Sequence, residues 1–437
     1  MKHKVLSCFV RSFNSWALSL KNASSPHKAI HIFSKMHRKN VPFDSFCILF
    51  TLKSCTHFHN LPIIQNLHSH IIKLGFTFNV YISTSLLNAY VLLSFLDACL
   101  LFDEMPHRNV VTWNTMIMGY SKSGNDIRRA REVFEQMPCR DIVSWSSMIA
   151  GYNNVGNFEQ GLLLFRQMMF HEEVKVDQVT AGLVLSACGK MGCVGLLAGK
   201  SVHGLMVKNR WELNVEIGDA LVNMYAKCGN LRSGAQVFEM MSERDVKSWT
   251  ALICGAAKHG FSEEALLVFE KMVVSGVKPN ELTFTAVLSA CARAGLDEEG
   301  RRYFKMIEEN GMEPRIQHYA CLVYLVGKAG NLEEAYDIIK AMRLEPNVVV
   351  LGSFLSACKE HRQFGMAERV IEQVLTMAKP ENDRGIYNLV CDLYVMGDKL
   401  EEVERVRKLM LNTEHVRNAR DSSFEQLVLK PHKDTIY

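Results

Sequence analysis

The chain has 437 residues, of which 48% are apolar and 22% charged, the make-up of an ordinary, fully folded protein. A formal net charge of +4 excludes a polycation that holds nucleic acid by bulk attraction, so any such contact needs a local surface. The 13 cysteines are odd in number, run from Cys8 to Cys391 without a C-x-x-C pair, and fit reduced, buried thiols better than a disulfide framework.

At the amino terminus no acidic residue precedes Pro42, whereas Lys2, Lys4, Arg11, Lys21, Lys28, Lys35, Arg38 and Lys39 are basic and serines recur. That composition resembles an organellar transit segment, expected over residues 1–12 and overlapping the first repeat of the series below. No apolar run reaches the roughly 18 residues that a membrane span needs, and no membrane partner is expected.

Further along, one segment is written three times. Val110-Val111-Thr112-Trp113-Asn114 returns as Ile142-Val143-Ser144-Trp145-Ser146 and as Val246-Lys247-Ser248-Trp249-Thr250. Each copy runs into a glycine-bearing turn and a second helix ending in Phe-x-x-Met, at Phe134, Phe165 and Phe269. With the residue after the Trp as a marker, the series reads Asn14, Leu49, Thr84, Asn114, Ser146, Gly182, Asp219, Thr250, Thr285 and Ala320, at intervals of 30 to 37 residues. Two helices of three to four turns with their connections fill that length.

The unit from Val246 shows the punctuation. Its first helix is expected to stop at His259-Gly260, since glycine takes the left-handed closing conformation most easily. Ser262 is expected to cap the second helix, with Glu263 and Glu264 in its first turn and Ala265, Val268, Phe269 and Met272 on its buried face. Small residues recur beside Cys188, Cys291 and Cys358 and imply close helix packing. One hairpin cannot bury its apolar face alone, so the expected fold class is all-α, an α-solenoid of tandem helix–turn–helix repeats.

These segments, together with Asn223-Met224-Tyr225-Ala226-Lys227-Cys228-Gly229-Asn230-Leu231, resemble pentatricopeptide repeats. The uneven spacing is similar to the plant subclass in which standard (P), long (L) and short (S) units alternate, here over residues 13–347. Val348 to Lys359 and Glu401 to Met410 resemble the E-type extension of organellar RNA-editing specificity factors, expected over residues 348–413. A short tail, 414–437, is expected to follow, with no DYW deaminase domain.

The resemblance implies that each repeat reads about one base, through its marker and its last residue. A carboxylate only accepts hydrogen bonds, so Asp suits the N3–H of uracil or the N1–H of guanine. An amide also donates, so Asn suits adenine N1 or cytosine N3; at the marker, a hydroxyl leaves room for a purine and Asn reaches a pyrimidine. On that basis Asn14 with Asp44 selects U, Thr84 with Asn109 selects A, Asn114 with Asp141 selects U, Ser146 with Asp177 selects G, and Thr250 with Asn280 selects A. The implied site is U-x-A-U-G-x-x-A. Three residues before each marker the family places an apolar side chain that sandwiches the base; Val111, Val143 and Val179 fit, whereas Arg11, Glu216, Lys247 and Gln317 depart. Leu49 and Gly182 offer no base-edge bond, Ala320 has lost its contact, and Asp219 with Asp245 sets two carboxylates on one base.

The implied function is sequence-specific binding of single-stranded RNA in a plant organelle, the mitochondrion or alternatively the chloroplast. The implied role is a specificity factor for C-to-U editing that recruits a deaminase-bearing editing protein through residues 348–413. Alternatives are RNA processing, stabilisation or splicing without editing, and a protein-binding helical scaffold. No enzyme, cofactor, metal or small-molecule substrate is expected. His171-Glu172-Glu173 matches the H-x-E of a zinc deaminase inside a repeat turn, and Pro138-Cys139 lacks the second cysteine of P-C-x-x-C. Gly199-Lys200-Ser201 resembles a phosphate loop, but Val194 stands where its first glycine belongs.

Overall fold

The computed structural model describes residue 16 and residues 18–410, apart from 24, 40, 42, 57, 58, 123–125, 172, 173 and 381. Asn14, Arg11, Cys8, the transit-like stretch and the tail therefore lie outside the described residues. Among those described, regular structure is α-helix with two short 3-10 turns, Phe76–Phe78 and Gly192–Gly195.

The chain forms two compact units, Met1–Trp211 and Glu212–Tyr437. The first holds α1 (Pro26–Arg38), α2 (Ser45–Thr56), α3 (Leu61–Lys73), α4 (Val80–Leu93), α5 (Phe95–Glu104), α6 (Val110–Lys122), α7 (Ile127–Gln136), α8 (Ile142–Asn154), α9 (Phe158–Met169), α10 (Gln178–Met191) and α11 (Leu196–Lys208). The second holds α12 (Val215–Lys227), α13 (Leu231–Met240), α14 (Val246–Lys258), α15 (Ser262–Val274), α16 (Glu281–Ala294), α17 (Asp297–Glu309), α18 (Ile316–Lys328), α19 (Leu332–Ala341), α20 (Val348–Glu360), α21 (Phe364–Met377) and α22 (Arg384–Met396), with residues 400–410 also helical.

In each unit the even-numbered helices up to α10, and from α12 on, are the first helices of hairpins, and they pack one on the next as a layer. Within each unit a second helix packs on its own first helix and, where another follows in that unit, on the next. The pattern follows from the apolar spacing. In α8, Trp145, Met148, Ile149 and Tyr152 are buried at helical intervals. Tight contact needs small residues: a Cβ on Gly255 of α14 would lie 2.6 Å from the Ala226 Cβ of α12. Cys188, Cys291 and Cys358 are buried beside such contacts, and burial pushes the Cys291 and Cys358 thiols up to about 12.

α14 ends at His259, and Gly260 follows in the left-handed conformation with φ of 87°. Ser262 is not a cap. It is the first helical residue of α15, nearly buried, and Phe261 occupies the cap position without a side-chain bond. The helix therefore starts one residue earlier than a hydroxyl cap at Ser262 would place it.

One stretch qualifies the sequence reading about membranes. Gln178–Lys208 is helical or 3-10 throughout and apolar enough to cross a membrane by length and composition. The mean over a window tolerates polar breaks that a count of consecutive apolar residues does not. Its backbone turns at Gly192, with φ of 64°, so that α10 and α11 fold onto each other as a hairpin.

Candidate nucleic-acid interface

The marker residues share one place in the fold. Thr84, Asn114, Ser146, Asp219 and Thr250 are each the fifth residue of a first helix, so within each unit they repeat on one face of its first-helix layer. The apolar sandwich positions are the second residues of the same helices. Val111, Val143 and Val179 are exposed by 60%, 50% and 68%, although each belongs to a buried-core helix. Phe46 and Tyr81 are exposed at the equivalent places in α2 and α4. An apolar side chain held in water at a fixed phase leaves a flat face available to a base.

The last residue of each repeat proves to be the cap of the next first helix. Asp44 Oδ1 accepts from the Cys47 N–H at 2.7 Å, Asn109 Oδ1 from the Thr112 N–H at 2.9 Å, and Asp141 Oδ1 from the Ser144 N–H at 2.8 Å. Asp177 does the same with Thr180 at 2.8 Å and Asn280 with Thr283 at 2.9 Å. Capping uses one side-chain oxygen and fixes the rotamer. What remains is the second atom, a carboxylate oxygen in Asp and an amide N–H in Asn. The two residues are alike as caps and opposite in sign toward a ligand.

Marker and cap meet in three of the repeats. The Asn114 amide donates to Asp141 Oδ1 at 3.3 Å. Thr84 reaches Asn109 through a bridge, its hydroxyl 2.7 Å from that of Thr112, which donates to Asn109 Oδ1 at 2.9 Å. Thr250 reaches Asn280 in the same way through Thr283, at 2.7 and 2.9 Å. Because the bridging hydroxyl gives its one hydrogen to the cap, the marker threonine must donate inward and faces outward as an acceptor. Ser146 is not joined to Asp177; it donates to its own helix, to the Val143 carbonyl at 3.2 Å.

The Asp141 carboxyl is pushed up by burial but more strongly down by hydrogen bonds from Ser144 and Asn114, and ends below its ordinary value. Asp219 behaves oppositely: burial, then the Asp245 charge, push it up to about 6. A cleft of about 720 Å³ gathers Phe46, Leu49, Tyr81, Thr84, Asn109 and Val111 on the first-helix face. A larger cleft, of about 920 Å³, lies between α9 and α11 and contains none of the marker or cap residues. Size alone therefore does not locate the chemistry.

The PPR repeat profile matches residues 111–142, 143–171, 219–246, 282–312 and 318–345, and that of the PPR repeat family matches 244–293. Pentatricopeptide repeat-containing protein At5g56310 of Arabidopsis thaliana is 34% identical over 413 residues, 94% of this chain and 77% of that protein. The chain belongs to the pentatricopeptide repeat family.

Among its relatives, the pentatricopeptide repeat-containing protein named CRR2, chloroplastic, of Arabidopsis thaliana is 33% identical over 91% of this chain and 56% of its own length. The chain thus spans about half the length of the first curated relatives it matches. Among solved structures, the pentatricopeptide repeat protein PPR10 in complex with an 18-nt psaJ RNA element aligns with a TM-score of 0.72 at 16% identity, over 95% of this chain and 63% of that one. The likeness establishes an all-α helical-repeat fold of the solenoid class.

Two groups in this pentatricopeptide repeat protein went unnoticed in the sequence. In six first helices the third residue, Thr112, Ser144, Thr180, Ser248, Thr283 or His318, is buried and bonds the cap before it. The signal was available as Asp or Asn followed three residues later by Ser or Thr, a capping-box spacing. The second group is Arg108, Arg140 and Arg244, each directly before a cap and each bonded to the end of the preceding helix. His171, of the accidental H-x-E, packs its ring on Trp145 at 5.0 Å. Gly195 to Ser201 lies in a 3-10 turn and α11, with no strand before it.

Proposed function

We propose that this pentatricopeptide repeat protein binds single-stranded RNA base by base along its first-helix face, at a site of the form U-x-A-U-G-x-x-A. The observation that carries the reading is the pairing of marker and cap, direct in Asn114–Asp141 and bridged in Thr84–Asn109 and Thr250–Asn280. Each pair leaves one atom of fixed hydrogen-bonding sign, beside the exposed apolar Val111 or Tyr81 in the first two pairs and Lys247 in the third; such a surface suits an unstacked base. Asn14 with Asp44 and Ser146 with Asp177 are assigned by the same phase, with Val111, Val143 and Val179 as sandwich residues. A related fold described in complex with RNA supports the choice of ligand.

The array is assigned to residues 13–347 as alternating P, L and S units, the E-type extension to 348–413 and the tail to 414–437. Within 348–410 the hairpins continue as α20, α21 and α22 with the helix at 400–410, but the fifth residue of α20 is Gly352, which has no base-edge group. The fifth residue of α22 is Asn388, so it is the hairpin from α20 that keeps the fold without a marker group; that surface suits a protein partner, and we assign 348–413 to recruiting a deaminase that carries out C-to-U editing in trans. A plant organelle is the assigned compartment; one relative is named chloroplastic, and fractionation of the tagged full chain separates plastid from mitochondrion.

The test is binding of the full chain to the site RNA and to a scrambled sequence at one fixed salt concentration, since backbone attraction changes steeply with salt. Expected is a preference for the site of at least about tenfold, removed by Asn114→Ala with Asp141→Ala. Equal binding of both RNAs would overturn base reading and favour a scaffold for proteins.

A further inference from the structure

One repeat breaks the pattern in a way that has a chemical solution. Asp219 is the fifth residue of α12, the place that Asn114 holds in α6, and Asp245 caps α14 as Asp141 caps α8. The correspondence extends to single atoms. Oδ1 of Asn114 and Oδ1 of Asp219 are both buried without a hydrogen-bond partner. In α6 the other atom of the marker is an amide nitrogen, and it donates to the cap at 3.3 Å. In α12 the other atom is a carboxyl oxygen, which has nothing to donate unless it carries a proton.

Asp245 is committed as a cap. Its Oδ1 accepts from the Lys247 N–H at 2.7 Å and from the Ser248 N–H at 3.1 Å. Those bonds occupy Asp245 as an acceptor, so a hydrogen bond between the two carboxyls has Asp219 as its donor. The surroundings of Asp219 agree. Within its unit α12 packs on α13 and α14. From α14 come Asp245, which disfavours a second negative charge, and Lys247 and the Ser248 hydroxyl, which oppose that effect without cancelling it. The charged residues of α13, Arg232 and Glu239, are exposed to solvent. On α12 itself Glu216 lies in the first turn and Lys227 at the last, and Lys258 closes the far end of α14. Burial and Asp245 together hold the Asp219 carboxyl up to about 6.

We infer that Asp219 and Asp245 share one proton, which makes their repeat the chemical equivalent of Asn114–Asp141 and a reader of uracil at the seventh nucleotide of the site. The inference rests on the base-reading assignment above for its ligand. In the shared state the Asp219 O–H donates to Asp245, and the second Asp245 oxygen stays free to accept the N3–H of uracil. When both carboxyls are ionised, the marker no longer holds the cap and two negative charges meet the carbonyl oxygens of the base. The site becomes U-x-A-U-G-x-U-A, and its seventh position is read only while the proton is present.

The experiment uses the full chain with 5′-UCAUGCUA-3′ and 5′-UCAUGCAA-3′, which differ at the seventh nucleotide, at pH 5.5 and pH 8.0 and one salt concentration. The ratio of the two affinities cancels the backbone attraction common to both RNAs. The unaltered protein is expected to prefer U by about tenfold at pH 5.5 and by less than about twofold at pH 8.0, while Asp219→Asn keeps about tenfold at both. A ratio that does not change with pH, or that Asp219→Asn fails to hold at pH 8.0, overturns the shared proton with the base-reading assignment intact. Failure to bind either RNA above a scrambled control overturns the base-reading assignment. A second readout then still decides the proton. An acid whose value is raised on folding costs the fold nothing below its ordinary value and progressively more as pH rises from there through the folded value. Asp219→Asn should therefore raise Tm at pH 8.0 by clearly more than at pH 4.5. The same Tm difference at both pH values overturns the inference without reference to RNA.

Discussion

Two kinds of joint connect one repeat to the next in different parts of the molecule. At three joints between α5 and α14 an arginine lies across the end of the preceding second helix. Arg140 Nε and Nη2 donate to the Phe134 and Glu135 carbonyls at 2.9 and 2.8 Å, with the guanidinium 4.9 Å from the Phe134 ring. Arg108 and Arg244 repeat the arrangement on Phe102 and Phe238. From Glu270 on, ion pairs on the outer flank take over: Arg301 with Glu334 and Asp297, Arg369 with Glu333, Lys359 with Asp392. The first joint adds a charged donor to helix-end carbonyls, of which the phenylalanine one also accepts from the helix's C-cap N–H, and holds a ring contact as well. The second is solvent-exposed, entropically costly to order and weakened by salt. Each arginine of the first kind directly precedes a cap, Asn109, Asp141 or Asp245, so the rigid joint lies where the proposed reading needs an atom held still. Behind it a proline takes over that place, at Pro279, Pro314 and Pro346, and restricts the backbone by its ring.

The largest effect that would test this contrast is in the core of a clamped joint. Trp145 is 3% exposed and stands edge-on to Phe134, at 5.0 Å and 76°. Trp145→Ala should cost about 3–5 kcal/mol in urea unfolding, and a loss below about 1.5 kcal/mol would mean the joint collapses around the gap. Next comes the clamp itself. Arg140→Gln removes two hydrogen bonds to helix-end carbonyls, of which Phe134 keeps the Met137 N–H and Glu135 is open to water, and should cost about 0.5–1.5 kcal/mol. Its signature is selective: preference for U at the fourth nucleotide should fall by about tenfold, with the third and eighth unaffected. Uniform weakening at all positions would reduce Arg140 to a purely structural part.

A smaller effect appears in acid. The Asp141 carboxyl sits below its usual value of 3.8, because hydrogen bonds from Ser144 and Asn114 outweigh burial. The stability this gives is present above that value and lost as pH falls below it. Asp141→Asn, which still caps, should lower Tm modestly at pH 7 and not at pH 3; an equal change at both would place the effect elsewhere.

Much of the fold was legible because hairpins repeat: the triple Trp segment alone sets the period, and α6, α8 and α14 begin where it begins. The candidate site was half legible. Markers and sandwich residues follow from phase, but Asp141 was read as a ligand group alone, although Asp-x-x-Ser also spells a cap. Its two roles use different oxygens, a division that only coordinates reveal. The inward turn of the Thr84 hydroxyl depends on Thr112, 28 residues away, and the contact of Asn114 with Asp141 on a span of 27. Such pairings lie beyond local pattern. Ser262 failed for the opposite reason: a good capping residue stood one position too late and is buried as the first residue of α15, with Phe261 in the cap position.

The weakest joint gives the finest test of the contrast. Arg301 reaches Asp297 on its own helix at 2.9 Å and Glu334 on α19, with 35% of its side chain exposed. Its two carboxylates hold the guanidinium well above its ordinary pKa, which marks a strong pair on paper. Solvent screening at that exposure discounts it, so Arg301→Gln should cost below about 1 kcal/mol. The loss should shrink further in 1 M salt, where screening acts over about 3 Å. Arg140→Gln should keep its full cost in the same salt, because its partners are neutral carbonyls at a helix end. If the two variants lose the same fraction of their effect to salt, the clamp is an electrostatic joint after all, and the distinction between the two regions falls with it.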